Sequence, residues 1–102
     1  MHLVESGPYE DLGAEFQYQW IVLLKDILKK YGVATATAKE ICGDFTFGLS
    51  MLLDQGELDH DGSTYRPVIA FTLDDETLFI QHGEFEFHEY AFGNTDEAFQ
   101  SK

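Results

Sequence analysis

The sequence predicts an α+β fold in which two N-terminal helices pack on a C-terminal antiparallel sheet of three to four strands, arranged as a meander. Two observations favour this class. Apolar residues recur at helical spacing in the first half of the chain, and short segments rich in β-branched and aromatic residues follow in the second half. A chain of 102 residues with 44% apolar content can form one hydrophobic core. We therefore expect a single domain over residues 1–102.

The first predicted helix covers about residues 15–31. Its apolar residues recur at intervals of three or four positions, which is the period of one helix face. They are Phe16, Trp20, Leu23, Leu24, Ile27, Leu28 and Tyr31. Lys29 and Lys30 fall in the last turn, where the helix dipole favours cations, and Gly32 is a typical stop signal.

The second predicted helix begins at Thr37 and ends near Gly56, because Thr37 and Glu40 have the spacing of a capping box. Its apolar residues lie on two faces, which is typical of a helix packed between other elements. Gly43 and Gly48 interrupt it, and each costs about 1 kcal/mol relative to alanine in a helix interior. We expect neighbouring elements to pack closely against both glycines.

The rest of the chain predicts three strands joined by turns. Residues 65–73 form the first, and Pro67 places it at an edge or marks its beginning. Residues 77–81 form the second strand after a turn at residues 74–76, and residues 84–91 form the third.

Two further elements are predicted at the ends of the chain. Leu3 and Val4 can add an edge strand to the sheet. The tail predicts one helical turn with Asn94 or Thr95 as its cap.

The negative charge is concentrated in the later part of the chain. Residues 1–39 carry four bases and five acids, whereas residues 40–102 carry two bases and 14 acids, so the later part holds −12 of the net charge of −13. Such a field repels nucleic acid and anionic membranes and accelerates encounter with basic proteins. The alternative interpretation is that the acids only keep an aromatic-rich protein in solution.

The N-terminal residues and the single cysteine predict the compartment of the protein. The N-terminal residues show no secretory signal, and the longest apolar run near them is far shorter than a membrane span. A single cysteine, Cys42, is compatible with a reducing compartment and falls on an apolar helix face, where a structural role is expected. We therefore expect a cytoplasmic protein that does not bind membranes.

The segment 82–90, HGEFEFHEY, is the strongest candidate for chemistry. In a strand its alternate residues share one face and would follow each other at about 6.8 Å. These residues are His82, Glu84, Glu86 and His88. Imidazole and carboxylate groups can bind zinc or a similar metal, but neighbours at this spacing must bend inward to share one ion at about 2.1 Å. The favoured interpretation is the solvated face of an amphipathic strand, with Phe85 and Phe87 facing the helices, and the metal site is the alternative.

An acidic surface for a protein partner is the second candidate. Carboxylates of the third strand and of the turn at residues 74–76 can receive lysines and arginines, and aromatic residues among them can act as anchors. The predicted partner-binding residues are Asp74, Asp75, Glu76, Phe79, Glu84, Glu86, His88, Glu89 and Tyr90.

These patterns predict a binding protein rather than an enzyme. No phosphate-binding loop or nucleophile motif is recognisable, and we expect no cofactor. In size, charge and aromatic content the chain resembles toxin-immunity proteins and DNA-mimic proteins, although no motif is diagnostic of either. The resemblance implies a basic partner, such as a toxin, nuclease or DNA-binding protein, whose basic or nucleic-acid-binding surface is occluded.

Direct binding to nucleic acid is not expected. The alternatives are a metal-dependent enzyme or metal-binding domain and a structural homodimer. In the homodimer, Phe47, Met51 and Phe79 would pack against a second copy.

Overall fold

A computed structural model describes residues 2–5, 8–81 and 85–100. The order of elements is β1 (His2–Glu5), α1 (Tyr9–Lys30), α2 (Thr35–Gln55), β2 (Leu58–His60), β3 (Ser63–Tyr65), β4 (Thr77–Ile80), a 3₁₀ helix (Phe87–Tyr90) and α3 (Ala91–Ala98). The fold is mixed α and β, but helices dominate it. Among the described residues, no helix combines the length and the apolarity needed to cross a membrane.

The predicted antiparallel meander is wrong. The described part of the chain contains two sheets of two strands each: β1 pairs with β4 in parallel, and β2 pairs with β3 in antiparallel fashion. A strand is present at Leu3 and Val4 as predicted, but it pairs in parallel with β4 alone instead of extending a meander, with Val4 opposite Phe79. The predicted strand at residues 77–81 is also confirmed, as β4.

The predicted strand at residues 65–73 is reduced to a single bridge. Phe71 and Phe79 exchange two backbone hydrogen bonds of 3.0 and 2.7 Å, but residues 66–70 form no ladder, and Tyr65 belongs instead to β3, where it pairs with Leu58. Pro67 has no N–H to donate, and the carbonyl oxygen of Ile69 accepts a hydrogen bond of 2.6 Å from the Tyr9 hydroxyl. Pro67 therefore cannot donate to a ladder, and the carbonyl oxygen of Ile69 has its partner outside a sheet.

The predicted strand at residues 84–91 is replaced by the 3₁₀ helix and the start of α3; Glu84 itself lies outside the described residues. The cause lies in α2, where the Asp54 carboxylate accepts the backbone N–H groups of Phe87 at 2.8 Å and His88 at 2.9 Å. These two donors are consequently unavailable for a strand ladder. The interpretation of this segment as the solvated face of an amphipathic strand is wrong for the same reason.

The two predicted helices are confirmed, with different beginnings. α1 starts at Tyr9, six residues before the predicted start, with Glu10 and Asp11 in its first turn and the expected lysines in its last. α2 starts at Thr35, so Thr37 already lies inside the helix and the predicted capping box is wrong; no side chain caps this end. The end of α2 before Gly56 is as predicted.

The predicted close packing against helical glycines holds at one position and fails at another. An added Cβ at Gly43 would lie 3.4 Å from the Phe92 ring, so α3 packs directly on this part of α2. Gly48 has nothing within 4 Å of such a Cβ. Among the described glycines inside helices, the closest approach is at Gly13 in α1, where a Cβ would lie 2.7 Å from the Phe85 ring.

α3 is longer than the predicted tail turn and runs parallel to α1. It begins at Ala91, so Asn94 and Thr95 lie inside it and neither caps it. The Asn94 amide donates to the carbonyl oxygen of Ala14 at 3.2 Å, and Lys25 reaches the carbonyl oxygen of Ala98 at 2.7 Å. Residues later in α3 therefore meet residues later in α1.

A fully buried glutamine joins the three helices. Gln17 of α1 donates through Nε2 to Ser50 Oγ of α2 at 3.0 Å and to the carbonyl oxygen of Phe87 at 2.7 Å, and its Oε1 accepts from Asn94 Nδ2 of α3 at 2.8 Å. Every polar atom of this side chain thus has a partner in a region of low dielectric. Apolar packing continues on both sides of it, around Phe87 and around Ile21.

Candidate functional site

The first candidate site joins the end of α2 to the 3₁₀ helix through Asp54, Glu86 and His88. The Asp54 side chain is only 4% exposed, and its Oδ2 lies 2.7 Å from His88 Nδ1. Glu86 Oε2 lies 3.2 Å from the same nitrogen. The hydrogen bond to Asp54 is the main cause that raises the pKa of His88 above its ordinary value, and the nearby carboxylates of Glu86 and Glu89 act in the same direction.

This cluster contains part of the predicted metal quartet. Glu86 and His88 come together, whereas His82 and Glu84 lie outside the described residues. One ligand atom from each of Asp54, Glu86 and His88 falls within 4.8 Å of the others. However, the two distances from His88 Nδ1 are those of hydrogen-bonded ion pairs, and tetrahedral ligands bound at about 2.1 Å stand slightly farther apart. Such ligands stand about 3.4 Å apart, so the contact of Asp54 with His88 must open by about 0.7 Å, and that of Glu86 with His88 by about 0.2 Å, to hold an ion.

The predicted turn at residues 74–76 is present and is organised by Asp74. Its Oδ1 accepts the backbone N–H groups of Glu76 at 2.9 Å and Thr77 at 2.8 Å. The hydrogen bond from Thr77, followed by that from Glu76, lowers the pKa of Asp74 below its ordinary value. Asp75 adopts a left-handed conformation with φ of 64°, and both Asp75 and Glu76 are exposed.

The two predicted aromatic anchors are half-buried. Phe79 lies in β4, between its partner Val4 in β1 and the bridge to Phe71. Tyr90 packs on the Phe85 ring at a centroid distance of 5.4 Å, and its hydroxyl donates to the Glu10 carboxylate. Because Glu10 accepts this hydrogen bond, and because Glu89 and Asp11 add negative charge nearby, the pKa of Tyr90 is raised.

The second candidate site is an open cavity of about 280 Å³ between α1 and α3, which we call the acidic groove. Its charged walls are three exposed carboxylates, two from α1 and one from α3: Asp11, Glu15 and Glu97. Ala14, Tyr18 and Asn94 complete the lining. The carboxylates of Glu10 and Glu89 lie beside the groove, around Tyr90.

The acidic groove was missed by sequence reasoning. Asp11 and Glu15 belong to the part of the chain whose net charge is nearly zero, so the charge distribution along the sequence did not point to them. Helical periodicity does place Asp11 and Glu15 one turn apart on α1. The contribution of Glu97, however, depends on the parallel packing of α3 on α1, for which the sequence carries no signal.

Two lysines near α3 are already engaged elsewhere. Lys25 Nζ donates to the carbonyl oxygen of Ala98, at the end of α3, and lies 4.9 Å from the Phe99 ring centroid. Lys39 of α2 pairs with Asp96 at 3.1 Å. These two lysines are therefore directed at the end of α3 and at Asp96, and neither contact neutralises a carboxylate of the acidic groove.

A scan of protein-family models, a search of curated proteins and a search of solved structures give no match to this chain. The assignment of a function consequently depends on the two candidate sites and on their chemistry.

Proposed function

We propose that this chain is an acidic binding protein that receives a basic segment of a partner protein in the acidic groove and so occludes the partner's basic or nucleic-acid-binding surface. The observation that carries the proposal is the grouping of Asp11, Glu15 and Glu97 around one cavity. Lysine and arginine side chains are complementary to such a wall of carboxylates, and long-range attraction accelerates their encounter with it.

The size of the groove also favours a protein partner. Its volume of about 280 Å³ is at the lower limit of cavities that bury small molecules, which are typically about 300–1,000 Å³. Tyr18 within the groove and Tyr90 beside it supply aromatic surface next to the carboxylates. Aromatic groups beside charged ones are typical of the residues that dominate binding energy at protein interfaces.

A matched pair of variants tests the location of the site. Asp11→Asn with Glu97→Gln removes two charges from the groove, whereas Asp59→Asn with Asp61→Asn removes two charges from the exposed hairpin of β2 and β3. A basic partner is first captured from lysate at low salt and eluted by salt. With the purified partner, the groove variant should associate more slowly and with a weaker salt dependence, while the hairpin variant should keep the wild-type behaviour.

Two results contradict the proposal. One is the failure of the wild-type chain to retain any basic protein in stoichiometric amount at low salt. The other is equal association kinetics for the groove variant and the wild type, because the carboxylates of the groove would then lie outside the interface.

The predicted contribution of the turn at residues 74–76 needs a separate variant. Asp74 is left unchanged because it holds the turn through its hydrogen bonds. Asp75→Asn and Glu76→Gln remove the exposed charges, and asparagine tolerates the left-handed backbone at Asp75. Slower association would place the turn in the interface with the groove, and unchanged association would remove it from the binding surface.

A metal site at Asp54, Glu86 and His88 is the second candidate function, favoured by the 4.8 Å clustering of their ligand atoms. Carboxylate and imidazole ligands suit zinc, manganese or nickel. Calorimetric titration with each ion, on the wild type and on His88→Ala, tests this alternative. Stoichiometric binding that the variant loses would support it, and the absence of stoichiometric binding would exclude it.

A further inference from the structure

A second, chemically different groove lies between α1 and α2 on the other side of α1. It is an open cavity of about 480 Å³ whose lining is entirely apolar. The lining residues are Phe16, Trp20, Leu23, Leu24, Ile27, Phe45, Leu49, Leu53 and Ile69. Trp20 forms part of its floor, since its indole N–H donates to Thr46 Oγ1 at 3.1 Å and its ring stacks on Phe87.

The rim of this groove leaves large side chains exposed in two regular stripes. One stripe follows α1 and the other follows α2, each with spacings of four and seven residues. The members are Leu12, Phe16, Leu23 and Ile27 on α1, and Ile41, Phe45 and Leu52 on α2. Each of these side chains is between 38% and 63% exposed. We call this surface the apolar face.

The area of the apolar face lies in the upper part of the range found for the largest patch of a monomer. Two of the seven side chains are phenylalanines, which bury about 150–250 Å² when fully covered, and the leucines and isoleucines bury less; exposed to about half, the seven together give on the order of 500 Å². The largest apolar patch on a typical monomer is about 300–600 Å², and it is often functional. Two such faces together would bury about 1,000 Å², which is the smallest area expected of a specific interface with good complementarity.

Two charges beside the α1 stripe of the apolar face are complementary under a two-fold axis. Glu15 borders its α1 stripe near one end and Lys30 near the other, and both are exposed. A two-fold axis through the middle of the stripe would turn two α1 helices antiparallel, so that Glu15 of each copy approaches Lys30 of the other. The groove itself contributes no charged side chain that such a contact would desolvate.

We infer that the apolar face is the interface of a homodimer, formed by a second copy of this chain through a two-fold contact of the α1 and α2 helices. This surface differs from the one that the sequence suggested. Phe47 stacks on Phe92 at 5.6 Å and meets the His88 ring at 6.0 Å, so it faces the 3₁₀ helix and α3. The dimer does not depend on the proposed function, because its apolar lining lies on the opposite side of α1 from the acidic groove; Glu15 is the residue that borders both surfaces, and the groove variant of Asp11 and Glu97 leaves it unchanged.

Sedimentation velocity on the full chain over a range of concentrations tests this inference. The wild type should show a reversible species with twice the 11.6 kDa mass of one chain. Leu23→Gln on α1 and Phe45→Gln on α2 each remove an exposed apolar group twice per dimer and should weaken the dissociation constant about a hundredfold. Leu73→Gln is the matched control: Leu73 is 93% exposed and does not line the groove, so dimerisation should be unchanged.

A charge swap tests the antiparallel arrangement. Lys30→Glu should weaken the dimer about tenfold, because it loses two ion pairs and creates two repulsions, and adding Glu15→Lys should restore the wild-type dissociation constant. A monomer at every concentration overturns the inference. So does a dimer that tolerates Leu23→Gln and Phe45→Gln, or an open-ended assembly in place of a closed pair. Circular dichroism confirms that each variant is folded, which the exposure of Leu23 and Phe45 leads us to expect.

Discussion

The two sides of α1 are built from different interactions. Towards α3 and the 3₁₀ helix, Gln17 makes three hydrogen bonds in a fully buried position, and Asp54 of α2 satisfies three donors nearby. Away from α3, the apolar face presents half-exposed side chains that make no polar contact of this kind. A buried polar group needs each of its partners, whereas an exposed apolar group does not. The first side should therefore determine the stability of the monomer and the second its association.

Among changes to polar side chains, the largest effect on stability is expected at Asp54. Asp54→Ala leaves the backbone N–H groups of Phe87 and His88 without their acceptor, and a buried unsatisfied donor costs about 1–3 kcal/mol. We expect the free energy of unfolding, measured by urea denaturation, to fall by about 3 kcal/mol. Asp44→Ala changes an exposed carboxylate of the same helix and should stay within about 0.5 kcal/mol of the wild type. Equal effects of both variants would contradict this account.

A pair of glycine substitutions should give effects of opposite sign. Gly13→Ala places a Cβ against the buried Phe85 ring, and we expect this overpacking to lower the free energy of unfolding by about 1–3 kcal/mol. Gly48→Ala meets nothing within 4 Å and should raise it by about 0.5–1 kcal/mol through helix propensity. Thermal denaturation of both variants measures the difference. A stabilised Gly13→Ala would show that Phe85 does not pack on this side of α1.

A smaller effect should appear in the pH dependence of stability. The folded-state pKa of His88 lies above its unfolded value of about 6.5, so its contribution is fully present below that value and is lost as pH rises through the folded-state pKa. The free energy of unfolding should therefore decline as pH rises through the neutral range. His88→Gln should remove this part of the decline. A variant with the same pH profile as the wild type would exclude His88 as its source.

The smallest effect on the monomer is expected at the apolar face. Leu23 is 63% exposed, so Leu23→Gln should change the free energy of unfolding by less than about 0.5 kcal/mol at concentrations where the chain is monomeric. Ile21, two residues earlier and fully buried, provides the contrast: Ile21→Ala should cost about 2–5 kcal/mol. A large loss for Leu23→Gln would mean that this face packs within the monomer.

The sequence predicted those elements whose cause is local. The apolar period of α1 and α2 reflects helix geometry, and the turn at residues 74–76 depends on Asp74 bonding to residues two and three positions later. The third strand could not be predicted correctly, because its disruption comes from Asp54, more than 30 residues earlier in the chain. The alternation of Phe85 and Phe87 correctly indicated burial, but it did not distinguish a strand from a 3₁₀ turn.

In the candidate sites, too, the features with a local cause were predicted from the sequence and those that depend on tertiary packing were not. Glu86 and His88 were identified from their own segment, while Asp54 was not, because nothing local connects it to them. The acidic groove requires α3 to lie parallel to α1, and the apolar face requires the groove between α1 and α2 to remain open. Both are consequences of tertiary packing. Helical periodicity placed Phe16, Leu23 and Ile27 on one apolar face of α1, but it could not show that this face stays about half-exposed.

The acidic groove as the binding site for a basic segment is tested most directly by nuclear magnetic resonance. The isotope-labelled chain is titrated with a synthetic peptide that alternates arginine with alanine, and the backbone amide shifts are followed. The account predicts saturable changes centred on the groove, at Asp11, Ala14, Glu15, Tyr18, Asn94 and Glu97. Changes spread evenly over all exposed acids, or centred on the hairpin of β2 and β3, would contradict it.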